Sequence, residues 1–283
     1  MLKSKSYLKY IKFILAVFLF ICLANASAYS EQLTGSGCSV SNAGYLRELA
    51  KDYEKLTGVK MFVRGGGSIV GIEDLKSHRV DFAASCRHKF ADDPDDQNID
   101  YIQVAWDALT FIVHKSNPVE NITLDDVRAI YSGKITNWEQ LGGGNAPIKI
   151  FISKPQMGPG LSGVDTSTRE MILNGHEPVK TPNTIFLASS GIVEQMVEDT
   201  AEGFATTGFS SARKRKIKML KVDGIYPEKK NIAKNIYPFK RPLFLLLAKD
   251  AKPEARKFVD FALSKKGQEL ISSYGIVPLM DAK

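Results

Sequence analysis

Three glycine- and serine-rich turns, each set where a strand should pass into a helix, constrain this chain more than any other feature. They are Gly35-Ser36-Gly37-Cys38-Ser39, Gly65-Gly66-Gly67-Ser68 and Gly158-Pro159-Gly160-Leu161-Ser162-Gly163. A helix start carries unpaired backbone N–H groups and a partial positive charge. Glycine lets a ligand approach that backbone closely, and serine adds a hydroxyl donor. Three such starts aimed at one point would hold an oxyanion without any metal or cofactor. Each serine also has a purely local alternative, because Ser39, Ser68 and Ser162 could serve only as helix N-caps.

Between the turns the chain alternates strands and helices. Gln32 to Thr34, Val59 to Val63, Val80 to Ser85, Ile148 to Ile152, Phe204 to Phe209, Ile217 to Val222 and Leu243 to Ala248 read as strands. Helical periodicity covers Ser41 to Thr57, Ile69 to Ser77, Thr123 to Tyr131, Asp165 to Asn174 and Ile192 to Asp199, with a long final helix from Pro253 to Tyr274. Tyr101 to His114 is extended and apolar, interrupted by Trp106-Asp107. Strand–helix alternation at this spacing predicts an α/β fold with parallel-rich sheets.

Residues 1–28 have the form of a secretory leader. Lys3, Lys5, Lys9 and Lys12 precede the apolar run Phe13 to Leu23, and Ala26-Ser27-Ala28 supplies small residues at a cleavage position. Export with cleavage after Ala28 is the expectation, since the run is short for a span of roughly twenty residues. The whole chain carries 38 Lys+Arg against 31 Asp+Glu, and without the leader the balance falls to +3. That gives nucleic-acid binding little support and suits a small anion. Cys38 and Cys86 remain after cleavage, and two cysteines in an exported chain usually pair.

Several segments, taken together and in order, resemble the periplasmic phosphate-binding proteins of ABC transporters. They are Ser132-Gly133-Lys134-Ile135-Thr136-Asn137-Trp138, Thr57-Gly58-Val59, Gly65-Gly66-Gly67-Ser68, Val80-Asp81-Phe82-Ala83-Ala84-Ser85, Tyr237-Pro238-Phe239-Lys240-Arg241-Pro242-Leu243, and Gly267-Gln268 through Gly275-Ile276-Val277-Pro278-Leu279. The resemblance implies a two-lobe periplasmic-binding-protein fold of type II, hinged on two crossover strands and closing over its ligand. The lobes would be residues 29–107 with 213–283, and residues 108–212. The implied function is capture of phosphate or a similar oxyanion for a transporter permease, with no catalysis and a monomeric chain. The implied contacts fall on Ser39 and the Val40 backbone, on Ser68, and on Ser162, Gly163 and Val164, with Gly37 and Cys38 completing the first turn.

The sequence departs from the family pattern at three places. Cys86 stands where the family has an aspartate that accepts a hydrogen bond from a protonated phosphate. No arginine precedes the third turn, where Ser153 and Lys154 are nearest, and Val164 replaces a threonine. Arg87, just after Cys86, is a replacement cation expected from the opposite lobe. Asp107 is read either as a ligand contact or as a buried carboxylate paired to Arg87 or to a hinge amide. His88 is placed to tune affinity with pH. Arg169 and the run Arg213-Lys214-Arg215-Lys216 are expected to be solvated.

Three readings of Cys38 and Cys86 stay open: a disulfide, two thiols in the cleft that take a soft metalloid, or plain buried thiols. The metalloid reading belongs to an alternative function, a periplasmic sensing module for a membrane kinase. An enzyme is disfavoured because no nucleophile–base pair or metal-ligand spacing is present among His78, His88, His114 and His176.

Overall fold

The computed structural model describes residues 31–90, 97–154 and 162–281. The expected leader and residues 158–161 of the third glycine turn lie outside the described residues. Strand β1 (Gln32–Gly37) enters a short helical turn α1 (Ser39–Ser41), a π-helical turn (Asn42–Leu46) and helix α2 (Arg47–Thr57). The apolar face expected of this segment is buried, with Leu46, Leu49, Ala50 and Tyr53 all inside. Gly58 ends the helix at φ 78°, a left-handed conformation that costs glycine little. Strand β2 (Lys60–Val63), helix α3 (Ser68–Lys76), strand β3 (Phe82–Ser85) and the long strand β4 (Ile99–His114) follow.

The middle of the chain holds β5 (Asn121–Ile122), α4 (Leu124–Tyr131), a 3-10 turn (Trp138–Leu141), β6 (Lys149–Ser153) and α5 (Gly163–Met171). Next come β7 (Thr184–Leu187), α6 (Ser190–Asp199), β8 (Gly203–Gly208), α7 (Phe209–Ala212), β9 (Ile217–Met219) and β10 (Lys221–Val222). Thr123 starts α4 with a reciprocal capping box, accepting from the Asp126 N–H while the Asp126 carboxylate accepts from the Thr123 N–H. The chain closes with α8 (Lys229–Ala233), β11 (Lys240–Ala248), α9 (Pro253–Leu263), α10 (Lys265–Ser273) and β12 (Val277–Pro278).

The strands form one hydrogen-bonded path in the order β2-β1-β3-β11-β4-β8-β6-β7. Two half-sheets meet within β4. Its first half, Ile99 to Ala108, pairs antiparallel with β11, and its second half, Leu109 to Val113, pairs antiparallel with β8. The outer strands of each half, β2-β1-β3 and β8-β6-β7, run parallel. The fold is therefore α/β with two lobes, and β4 is one crossover. The chain returns near Phe239, whose carbonyl accepts from the Leu109 N–H at 2.9 Å, so both connections lie side by side at the hinge.

Four expectations are altered. Trp106-Asp107 does not interrupt β4, because the buried Asp107 carboxylate is fully engaged and a paired charge is tolerated inside a strand. Residues 217–222 sit with the second half-sheet: β9 pairs with Ile112 to His114 and β10 with β5. The final helix breaks at Ser264, whose hydroxyl accepts from the Gly267 N–H at 3.1 Å and caps a new helix. Gly267 is needed there, since a Cβ would lie 2.0 Å from the Phe261 carbonyl oxygen. Strand β7 was not anticipated.

Candidate functional site

In sheets of this kind, ligands bind beyond the carboxyl ends of parallel strands. The first two glycine turns occupy such ends, after β1 and β2, and Ser162 and Gly163, the described residues of the third, follow β6 in the chain. The first turn is fixed by the Cys38 N–H donating to the Ala84 carbonyl at 2.8 Å. Gly37 has φ 130°, and a Cβ on it would strike that same carbonyl at 2.2 Å, so no other residue fits. The second turn folds onto the first: the Gly66 and Gly67 N–H groups donate to the Gly37 carbonyl at 2.8 and 2.9 Å. These two amides hold the first two turns together.

The turns converge. A Cβ built on Gly163 would lie 2.6 Å from Cys86 Sγ, 2.7 Å from Ser68 Oγ and 3.1 Å from the Arg87 backbone nitrogen. The start of α5 on the second lobe thus rests directly on the starts and ends of elements on the first. Ser167 Oγ adds a long bond of 3.5 Å to the Cys86 carbonyl. Ser68 is the first residue of α3, and Gly67 is the N-cap; the Ser68 hydroxyl instead accepts from the Cys86 N–H at 3.2 Å. Ser39 likewise follows its cap, which is Cys38. The Ser39 side chain borders Gly65 and Gly191, at the start of α6. Ser162 is a true N-cap, accepting from the Asp165 N–H at 3.0 Å and donating to the Ser153 carbonyl at 2.7 Å. Val40 and Val164 are buried, and Val40 packs so close to Gly208 that a Cβ there would meet it at 2.3 Å.

The cation at this convergence is Arg241, which the sequence reading did not single out. It is 3 % exposed and lies at the hinge end of β11. Its guanidinium donates to Asp107 Oδ2 through Nη2 at 3.0 Å and Nε at 3.2 Å. Nη1 points the other way, to the Gly163 carbonyl at 3.3 Å and Ser167 Oγ at 3.4 Å. Asp107 is fully buried, and its Oδ1 accepts from the Ser210 N–H at 2.8 Å. Of the partners expected for Asp107, the amide is present and Arg87 is replaced by Arg241. The signal available in sequence was the basic pair Lys240-Arg241 between Pro238 and Pro242 at the mouth of an apolar strand, matching Asp107 in the middle of another.

Arg87 itself is placed differently from expectation. Its guanidinium lies 4.5 Å from the Phe90 ring and 5.9 Å from the Tyr101 ring, and Nη1 donates to the His88 carbonyl. Only its backbone reaches the convergence. Lys154 is drawn to Glu177 at 3.6 Å. His88 Nδ1 lies 3.6 Å from Glu170 of α5. Arg169 is not solvated; it is nearly buried and bridges Asp165 at 2.9 Å and Glu177 at 2.7 Å. The basic run is solvated at Lys214 and Lys216, as expected, and forms ion pairs from Lys214 to Glu48 and from Arg215 to Glu194 and Glu198.

Cys38 and Cys86 are both buried and unbonded, with their sulfurs 2.8 Å apart. Burial, then the hydrogen bond to Cys86, pushes the Cys38 thiol well up. The same bond from Cys38 holds Cys86 down to about 7, against burial and with help from the Arg241 charge and the Ser68 hydroxyl. The pair is thus asymmetric, with Cys38 pushed toward the thiol and Cys86 eased toward the thiolate by the Arg241 charge. Burial works against the Arg241 charge, but Cys86, Asp107 and Cys38 outweigh it and raise the group above its ordinary value. Among the described residues no group of three or more His, Cys, Asp or Glu side chains is placed to hold a metal ion.

Two lobes sharing a strand, with helix starts from both meeting over a buried arginine, define a periplasmic-type binding protein. A family model described as a PBP superfamily domain matches residues 24–266. The phosphate-binding protein PstS of Bacillus subtilis is 28% identical over 259 residues, covering 90% of this chain and 83% of the relative. An ABC-type phosphate transport receptor from Vibrio cholerae superimposes with a TM-score of 0.64 at 26% identity, covering 88% of this chain and 100% of that one. A phosphate ABC transporter substrate-binding protein from Clostridium perfringens, solved with bound phosphate, shares the fold with a TM-score of 0.76 at 24% identity, over 88% of this chain and 100% of the other. The chain belongs to the periplasmic phosphate-binding protein family.

Proposed function

We propose that this protein is an exported solute-binding protein that captures phosphate, or an oxyanion of similar size and charge, between its lobes. It performs no chemistry on the ligand and presents it, as a monomer, to the permease of an ABC transporter. The lobes are taken as residues 31–108 with 240–281, and residues 109–239. The observation that carries the proposal is the meeting of the α3 and α5 starts beside Arg241, because it joins backbone donors and a buried cation from both lobes.

The ligand enters when the lobes part and Gly163 lifts from Cys86 and Ser68. The first lobe contributes Gly37, Cys38, Ser39, the Val40 backbone, Ser68, Cys86 and the Arg87 backbone; the second contributes Ser162, Gly163 and Val164. Asp107 acts through Arg241, holding the guanidinium in place. Selectivity follows from the donors: an anion that leaves a buried N–H unanswered loses about 1–3 kcal/mol for each. The leader-like segment at 1–28 supports export, and no helix among the described residues is long and apolar enough to cross a membrane.

Isothermal titration with phosphate, arsenate, sulfate and molybdate tests this. A saturable response to phosphate is expected, with the dianions of different size weaker. If all four titrations are flat, the proposal fails. A fifth titration, with arsenite, that alone gave a response would favour the sensing alternative, which the adjacent thiols motivate.

A further inference from the structure

We propose that Cys38 and Cys86 are a reversible dithiol–disulfide pair that sets how tightly the cleft holds its anion, the disulfide form binding more tightly. The inference rests on the anion-binding function above and adds its regulation.

Three observations carry it. The first is position. Cys38 and Cys86 each lie one residue past neighbouring parallel strands, and the β1–β3 register pairs Gly37 with Ala84. That register sets Cys38 opposite Ser85 with Cys86 one residue further, and a strand spacing of about 4.8 Å with a rise of about 3.3 Å puts their Cα atoms about 5.8 Å apart, within the about 4.4–6.8 Å that a disulfide spans. The facing sulfurs can therefore join without moving either strand.

The second is charge. In the dithiol form the Arg241 guanidinium is held by Asp107, and its charge also favours the thiolate form of Cys86. A disulfide carries no charge and no proton. Its formation leaves Asp107 as the single anion on the guanidinium and turns the remaining positive field toward the Gly163 side, where the ligand enters. The third is the Ser68 hydroxyl, 3.7 Å from Cys86 Sγ. A disulfide sulfur is a poorer acceptor than a thiolate, so the hydroxyl is released for the ligand.

The exchange is balanced with a small-molecule disulfide as oxidant. The Cys86 thiolate attacks one sulfur of that disulfide, forming a mixed disulfide and releasing one thiolate. The Cys38 thiol gives its proton to the first released thiolate and attacks the Cys86 sulfur, forming the Cys38–Cys86 bond, breaking the mixed disulfide and releasing the second thiolate. Both residues are buried, 2 % and 3 % exposed, and the Cys86 sulfur lies against Gly163 of the opposite lobe. Oxidant and reductant therefore reach them only when the lobes part. Linkage then requires that a bound anion stabilise the disulfide by the same factor by which the disulfide favours the anion.

The purified protein is poised in glutathione buffers, the Cys38 and Cys86 peptides are read by alkylation and mass spectrometry, and phosphate is titrated calorimetrically into each form. The expected result is an intramolecular disulfide that binds phosphate at least tenfold more tightly than the dithiol. Saturating phosphate should slow reduction by dithiothreitol at least tenfold, and Cys38→Ala should remove all dependence of affinity on redox state. Equal affinities in both forms, or failure of the pair to bond, overturn the inference and leave phosphate binding standing. A flat titration in both forms, with the disulfide intact, overturns phosphate binding itself and this inference with it.

Discussion

Removing Arg241 should expose how much of the hinge depends on one buried charge pair. Asp107 is 0 % exposed and Arg241 3 % exposed, so neither can turn to water if its partner is lost. Arg241→Met keeps the apolar stem and deletes both donors to Asp107 Oδ2, while Oδ1 keeps the Ser210 N–H. Stranding one member of a buried pair costs about 3–5 kcal/mol, a large part of a stability that is commonly about 5–15 kcal/mol in total. Asp107→Leu strands the guanidinium instead and should cost a similar amount. The double variant removes both charges. What it leaves is the unpaired Ser210 N–H, worth about 1–3 kcal/mol. The two single losses should therefore sum to at least about 3 kcal/mol more than the double loss. Equilibrium urea unfolding, followed by circular dichroism and fluorescence together, measures all four corners of the cycle. If Arg241→Met stays within about 1 kcal/mol of the parent, or the singles simply add, the pair is not the closed buried unit described.

Gly163→Ala should weaken phosphate binding at least tenfold with little change in unfolding midpoint, because its methyl would lie 2.6 Å from Cys86 Sγ and hold the lobes apart; unchanged calorimetric affinity would show that this contact is not made in the bound state. Asp74 is buried, and although burial works to raise its carboxyl, bonds from Arg79 and Ser36 and the charges of Arg64 and Arg79 bring it below its ordinary value. Its contribution to stability is therefore present above the unfolded value of about 3.9 and is lost as pH falls through the lower folded value. Asp74→Asn should flatten the fall of Tm between pH 4 and pH 2, and an equally steep fall would count against the assignment. Thr123→Ala breaks the capping box of α4 and should cost about 1 kcal/mol in urea unfolding; a loss below a few tenths would mean that the box contributes nothing in this context.

Local pattern made the three turns legible, because glycine and serine at a strand end have few other uses. It also placed most strands and helices, since their periodicity is local. The contents of the site were harder to read. Which way a side chain points after a turn is not encoded by adjacency: Arg87 follows Cys86 yet stacks on Phe90, while Arg241, 155 positions further on, reaches the sulfurs' neighbourhood. Pairing between β4 and β11 is what brings Arg241 to Asp107, and no window of sequence contains both. The pairing of residues 217–222 with the second half-sheet was not legible, because β9 and β10, three and two residues long, carry no periodic signal of their own. The break at Ser264 was hidden by helical periodicity on both sides, although the serine three residues before Gly267 was in plain view.

The insertion of β11 between β3 and β4 has a consequence for how the molecule is made. When the ribosome has released the first hundred or so residues, the N-terminal lobe still lacks the strand that fills its middle, and β3 and β4 have no direct neighbour to share. The other lobe has all its strands in hand before residue 240 is translated. Maturation should therefore proceed from the centre of the gene product outward, with the first-born segment waiting, edges bare, for one of the last. A stalled or truncated message would strand that half as a sticky fragment rather than a usable module.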